Sequence, residues 1–373
     1  MEGNMTLGHV WGIPIRINPS LFLILGLLTF SLGSALLPAA YPDMDPTGRW
    51  LTALATAVLF AGSILFHELA HAWVALRNGI AVQSVTLYIF GGIAQIESKP
   101  KSPGEEFRVA AVGPASSVLL ALIFGAINQV VGDRGYLGAS ADWLMTINLL
   151  LAVFNLLPGY PLDGGRILES IVWHFSGKQE TGVRVASTSG QLIAYALIIW
   201  GVFRVFQGDV LGGIWTAFIG FILHNAATAE RQSFLQEQKL AGVSVGKVMG
   251  IVKEPEIAAD LPLQRLVEQH ILGQGQGSFI VIAADGSPVG VLNLRAVSQV
   301  PRPDWTMRTA GDVMTPLGTL PRVAPNDDLL AAVHLMDTNQ LNQVPVFEHG
   351  RLAGLLTRDE VIHHLRLRAE TGV

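Results

Sequence analysis

The chain has no cysteine and little charge. With no Cys among its 373 residues, disulfides are excluded and any metal site must be built from His, Asp or Glu. Only 14% of residues are charged, against 50% hydrophobic, and the mean hydropathy of +0.44 is high for a water-soluble protein. The formal net charge of −5 argues against nucleic acid as a partner, because binding phosphate requires clustered basic side chains. Met1 to Ile17 hold one basic residue, Arg16, and the apolar run that follows lacks a small-residue cleavage pattern. That run reads as a retained span, not a cleaved leader.

The scarcity of charge is concentrated in the first 230 residues. Six apolar segments there approach or exceed the roughly 20 residues that a bilayer requires. They are Ile17 to Tyr41, Leu51 to Leu76, Val109 to Gly132, Trp143 to Leu162, Val185 to Phe203 and Val210 to Ala229. The fourth contains Pro158, Gly159 and Pro161, so its regular helix is expected to stop near Leu157. Irregular backbone at that depth is tolerated only where it packs on protein or lines a cavity, so the break points at a site. With the amino terminus inside, the inner segments carry Arg16, Arg77, Lys99, Lys101, Arg108, Arg166, Lys178 and Arg184, and the outer loops Arg49, Arg134 and Arg204. This asymmetry predicts a cytoplasmic amino terminus and a cytoplasmic carboxyl-terminal half.

Within Leu51 to Leu76 the only full charge is Glu68, in the run His67-Glu68-Leu69-Ala70-His71. Residues i and i+4 share a helix face, so both imidazoles can converge on one ion, with the glutamate placed to handle a water proton. The structural alternative is a pair of histidines lining a helix contact, with Glu68 paired to Arg77 or Arg166. An ionisable group at membrane depth costs about 2.5–3.5 kcal/mol on insertion scales, more than such packing explains. A third ligand is available in Asp163, which follows the broken fourth span and precedes Gly164-Gly165. A carboxylate there would complete His₂Asp and leave one tetrahedral position for water. Alone, Asp163 reads as a helix cap; beside a two-histidine site lacking a ligand, the metal reading is favoured.

Between the second and third spans, Val82 to Ile96 has a β rhythm and reads as a hairpin turning at Gly91-Gly92. Its free edge could pair with an extended substrate, or the hairpin could merely cap the bundle. After a polar linker, 230–242, the remainder is an internal duplication. Val248-Met249 recurs as Val313-Met314, and Gly290-Val291-Leu292 as Gly354-Leu355-Leu356. Each copy carries helix, strand, turn, strand and helix, which implies two α/β modules at 243–300 and 309–368 behind a membrane domain at 1–229.

The ordered pair of motifs, His67 to His71 and then Asn155…Pro158…Leu162-Asp163-Gly164, resembles the site-2 protease family of intramembrane zinc metalloproteases. Phe90-Gly91-Gly92 and Gly113-Pro114 are similar to that family too. The resemblance implies an α-helical polytopic bundle, Zn²⁺ held by His67, His71 and Asp163, and Glu68 as the general base. Asn155 is placed either to bond the substrate backbone or a developing oxyanion, or to make an interhelical hydrogen bond. The substrate class it implies is a membrane-anchored regulator, such as an anti-sigma or pro-sigma type protein. The carboxyl-terminal half resembles a tandem of cystathionine-β-synthase (CBS) domains, which implies an adenine nucleotide at Thr357 and Glu360 or a dimerisation role. In the first copy Asn293 and Ala296 stand at those positions. A CBS-gated transporter or channel is the competing reading, but the spans show no inverted repeat and the polar groups gather at one point.

Overall fold

The computed structural model describes residues 4–89, 91–96, 100–132, 135–249, 256–274, 277–339 and 341–371. Phe90, Lys99 and Arg134, which entered the motif and charge arguments above, lie outside the described residues. The chain divides into two units, Met1–Phe234 and Leu235–Val373.

Among the described residues of the first unit and its continuation, six helices are long and apolar enough to cross a membrane. They are α1 (Ser20–Ala40), α2 (Pro46–Arg77), α3 (Pro103–Val131), α4 (Tyr136–Asn155), α6 (Gln179–Phe206) and α7 (Val210–Leu240), with the shorter α5 (Asp163–Ser176) before α6. Large apolar side chains such as Leu122, Leu192 and Ile199 point outward, whereas Ala53, Ala57, Ala139, Ala141 and Ala152 are buried between helices. Small residues inside and bulky ones outside is the pattern by which helices approach closely in lipid. Polar contacts join the same surfaces: Thr56 and Ser140 hydroxyls lie 2.7 Å apart, and Asn148 Nδ2 donates to Ser63 Oγ at 3.3 Å. The fourth span is helical only to Asn155, as its Pro-Gly break requires. The segment read as a polar linker is helical for most of its length, since α7 runs on to Leu240.

The hairpin at Val82 to Ile96 is present as β3 (Val82–Tyr88) and β4 (Gly91–Ile96), paired antiparallel. Gly91 and Gly92 belong to β4, so the turn falls before them. The hairpin is half of a larger sheet. Two strands not anticipated from sequence, β1 (Met5–Val10) and β2 (Ile13–Ile17), form an antiparallel hairpin whose turn, Trp11-Gly12, has positive φ at both residues. β2 pairs parallel with β3, giving the order β1-β2-β3-β4 and leaving β4 at an edge. Ile13, Ile15 and Val85 bury one face of this sheet against Ala72 of α2.

The second unit repeats one design. β5 (Glu256–Ala258) pairs parallel with β6 (Ser278–Ile282), which pairs antiparallel with β7 (Pro288–Asn293); β7 leads to α8 (Leu294–Ser298) and pairs on its other side with β8 (Thr315–Pro316). In the second copy, Val323 bridges Val346 in parallel, β9 (Gln343–Glu348) pairs antiparallel with β10 (Arg351–Thr357), and α10 (Arg358–Thr371) follows; α9 (Leu329–Thr338) precedes β9. The packing departs from the repeat boundaries expected at 243 and 309. Leu240, Val243, Val245 and Val248 sit in the core of the second copy with Leu329, Met336, Val344 and Val346. Ala310 and Val313 lie instead with the first copy's Leu263, Phe279 and Leu292. Each copy therefore lends its leading segment to the other.

Candidate metal centre

Asp45 caps α2, accepting from Gly48 N at 2.9 Å, and Pro46 follows at the first position, where its missing N–H costs nothing. From there the helix runs unbroken to Arg77, and its inward face carries His67 and His71, which are 5% and 8% exposed. Each ring is held at Nδ1 by α3. The His71 Nδ1–H donates to the Val109 carbonyl at 2.6 Å, and His67 Nδ1 lies 2.9 Å from Ser117 Oγ. A carbonyl only accepts, so the proton of a neutral His71 is on Nδ1 and its Nε2 lone pair faces inward.

That lone pair meets a second imidazole nitrogen and a carboxylate oxygen. His67 Nε2 lies 3.2 Å from His71 Nε2, and Asp163 Oδ2 lies 3.2 and 3.3 Å from the two nitrogens. Three electron-pair donors packed this closely repel one another unless a cation or proton lies among them. Corners of a tetrahedron with metal–ligand bonds of about 2.0–2.1 Å stand roughly 3.3 Å apart, the spacing seen here. The donor set and its dimensions fit zinc. Among the described residues this is the one His/Asp/Glu cluster with metal-ligand geometry.

The space for this cluster is made by Gly113. A Cβ there would fall 2.1 Å from His71 Nε2 and 2.7 Å from His67 Nε2. Asp163 reaches the cluster because it opens α5 without capping it; the cap position is Leu162, which makes no side-chain bond. The alternative reading of Asp163 as a cap is therefore not what the structure shows. Gly164 and Gly165 let the start of α5 fold against its own loop, where side chains would strike the carbonyls of Leu156 and Leu157 and the backbone at Gly159.

Glu68 is turned toward the sheet. A Cβ on Gly92 of β4 would fall 2.3 Å from its Cγ. Neither arginine suggested as its partner is engaged with it: Arg77 stacks over Trp73 at 4.5 Å, and Arg166 pairs with Glu106 at 3.5 Å. Asn155 ends α4 and donates to Leu151 O of its own helix at 3.1 Å, so the interhelical bond considered for it is not formed. Thr357 and Glu360 belong to the second unit. There Glu360 Oε2 accepts from Thr357 N at 2.8 Å and Oγ1 at 2.9 Å, a capping box at the start of α10. Asn293 caps α8 at the matching place, accepting from Ala296 N.

Ser117 and the Val109 carbonyl were not identified from sequence. A serine in an apolar span signals only a polar contact, and a carbonyl has no sequence signal at all.

The family model for peptidase family M50 matches residues 55–133 and 134–199, and that for the CBS domain matches 310–367. The Synechocystis sp. protein sll0528, named in the zinc metalloprotease class, is 37% identical over 99% of this chain and 97% of its own. Rip3 of Mycobacterium tuberculosis, named likewise, is 34% identical over 97% of this chain and 92% of its own. The solved site-2 protease from Methanocaldococcus jannaschii shares 24% identity, covers 61% of this chain and 95% of that one, and superposes with a TM-score of 0.41. With identity of that level along nearly its whole length, the chain belongs to peptidase family M50: it is a multi-pass membrane zinc metalloprotease of the site-2 protease type, with a CBS domain toward its carboxyl end.

Proposed function

We propose that the chain cleaves membrane-anchored regulatory proteins in or near their membrane span, with His67, His71 and Asp163 as zinc ligands and Glu68 as general base. The observation that carries this reading is the triangle of two imidazole nitrogens and a carboxylate oxygen, 3.2–3.3 Å on each side, in a buried site next to a second carboxylate. When bound, zinc supplies Lewis-acid activation of the hydrolytic water, lowering its pKa to about 7. Val109 and Ser117 hold the two rings so that their Nε2 atoms face the ion. Glu68 takes the water's proton and returns it to the leaving amine. Its side chain packs beside β4 at Gly92.

A helical peptide bond is protected by its own hydrogen bonds, so the substrate must be unwound before attack. The outer edge of β4 offers an extended segment a row of backbone partners, and Glu68 lies against that strand at Gly92. Asn155, at the end of its helix, is a candidate to bond the substrate backbone. The basic residues of the inner segments support a plasma-membrane protein with amino terminus and CBS region in the cytoplasm, so that the released fragment would act there. The CBS region would regulate by binding an adenine nucleotide near Thr357 and Glu360 or by joining two copies of the chain. Titration of the full chain with ATP and AMP tests the first of these.

The decisive experiment pairs metal with turnover. Glu68→Gln is expected to keep its zinc and lose cleavage of a co-expressed single-span substrate; undiminished cleavage would sink the assignment. Bound zinc should disappear in both His67→Ala and Asp163→Ala, which ties the two distant motifs to one ion. A transporter would instead show solute flux in proteoliposomes that survives removal of both histidines.

A further inference from the structure

Asp163 is a short side chain on the first residue of a helix, a position that frays when nothing holds it. A zinc ligand must stay within about 0.2 Å of its ideal distance, so something must fix α5 against the helix that holds the histidines. One turn after Asp163, on the same face, Arg166 reaches Glu106 Oε1 of α3 at 3.5 Å. Glu106, only 4% exposed, shares its face of α3 with Val109, Gly113 and Ser117 at spacings of three and four residues. Those three positions accept from His71, make room for both rings, and contact His67. The ion pair is thus the next rung of the surface that carries the ligand cluster.

The next turn of α5 is tied as well. Glu169, 3% exposed, accepts from the hydroxyl of Tyr160 in the preceding loop and from Gln179 Nε2 of α6 at 3.1 Å. Tyr160 N donates to the Ala186 carbonyl of α6 at 3.2 Å. A cavity of about 40 Å³ lies among Glu106, Tyr160, Arg166, Glu169, Gln179 and Glu230. Glu106 is buried and the Arg166 side chain is 39% exposed, so the pair contributes little net stability, whereas it does restrict geometry. We propose that Glu106 and Arg166 are positioning residues, an ion pair that sets the Asp163 carboxylate against the two imidazoles. This inference rests on the reading of Asp163 as a zinc ligand.

The test measures zinc affinity of the full-length protein in detergent by chelator competition, and kcat and KM at saturating zinc. Glu106→Gln and Arg166→Gln should each weaken zinc binding about 10–100-fold, the range for residues that orient ligands. The double variant should be no weaker than the weaker single one, because the two act as a unit. Arg166→Lys, which keeps the charge, should recover most of the affinity. At saturating zinc the loss should fall on kcat and leave KM unchanged. Arg204→Gln, which breaks a remote pair with Asp209, should leave zinc affinity at the wild-type value. Affinity within twofold of wild type in Glu106→Gln, or additive losses in the double variant, would overturn the proposal. If Arg166→Gln does not accumulate, Glu106→Gln and the shorter Glu106→Asp carry the same decision. Zinc retained by Asp163→Ala would defeat the underlying ligand reading; zinc lost there but unaffected by Glu106→Gln would defeat the positioning role alone.

Discussion

Replacing Gly113 by alanine adds one methyl group at the most crowded point of the metal centre. The new Cβ would stand 2.1 Å from His71 Nε2 and 2.7 Å from His67 Nε2, whereas real Cβ contacts do not fall below 3.0 Å. Neither ring can swing away freely, because the Val109 carbonyl and Ser117 hold their far sides at 2.6 and 2.9 Å. Relief therefore requires His71 Nε2 to retreat by roughly 1 Å, several times the 0.2 Å tolerance of a zinc bond. Zinc affinity should fall by more than the roughly 100-fold ceiling seen when only an orienting residue is changed. Overpacking should cost about 1–3 kcal/mol of stability in addition. Gly62→Ala is the matched control: it lies on the same helix as the histidines and its Cβ meets nothing within 4 Å. It should bind zinc normally and gain about 0.5–1 kcal/mol, as alanine does in place of glycine inside a helix. The assay is zinc per protein and chelator competition in detergent, alongside cleavage of a single-span substrate. Wild-type zinc affinity and turnover in Gly113→Ala would refute the assignment of these two nitrogens to the ion.

Ser117→Ala removes the group facing His67 Nδ1, and should weaken zinc about 10-fold without abolishing it, read by the same competition. Val245→Ala should destabilise the second copy of the repeat, although Val245 lies in the leading segment of the first. Its side chain is fully buried beside Val344 and Val346, so hydrogen exchange should rise in β9 and β10 before β6 and β7. Met336→Ala, at 0% exposure in the same core, should cost about 2–5 kcal/mol in denaturant unfolding. In the Thr309–Asp312 capping box, the Thr309 N–H and hydroxyl hold the Asp312 carboxyl below its ordinary value of 3.8. A carboxyl lowered by folding stabilises above its unfolded pKa, and that contribution disappears as pH falls through the folded value. Hydrogen exchange at 310–314 should therefore rise on acidification below about pH 4 in the wild type and show a weaker acid response in Asp312→Asn.

The parts legible in the sequence are those decided by local spacing. His67 and His71 share a face because they stand four residues apart on one helix, and the Pro158-Gly159 break ends the fourth span where backbone rules demand. Other features depend on partners far along the chain. β2 gains its place from parallel pairing with Val85 to Leu87, some seventy residues later, and its own short hairpin gives little alternation to read. Gly113 is an unremarkable small residue of an apolar span until α2 is laid against it. The pattern at Thr357 and Glu360 is visible in the sequence, but one pattern serves a helix end and a nucleotide site alike. The repeat itself was plain; the exchange of leading segments was not, because identical copies can pack in place or crosswise with the same residues.

That exchange has a consequence for how the chain is made. Val243 and Val245 leave the ribosome about 100 residues before Val344 and Val346, which complete their core. At typical synthesis rates of about 5–20 residues per second, the interval is roughly 5–20 s. Throughout it the apolar start of the second unit, joined directly to the last membrane helix, has no core to enter. Cutting the chain between the copies would make that state permanent, so the duplicated half folds as one interlocked body and neither copy is a removable module.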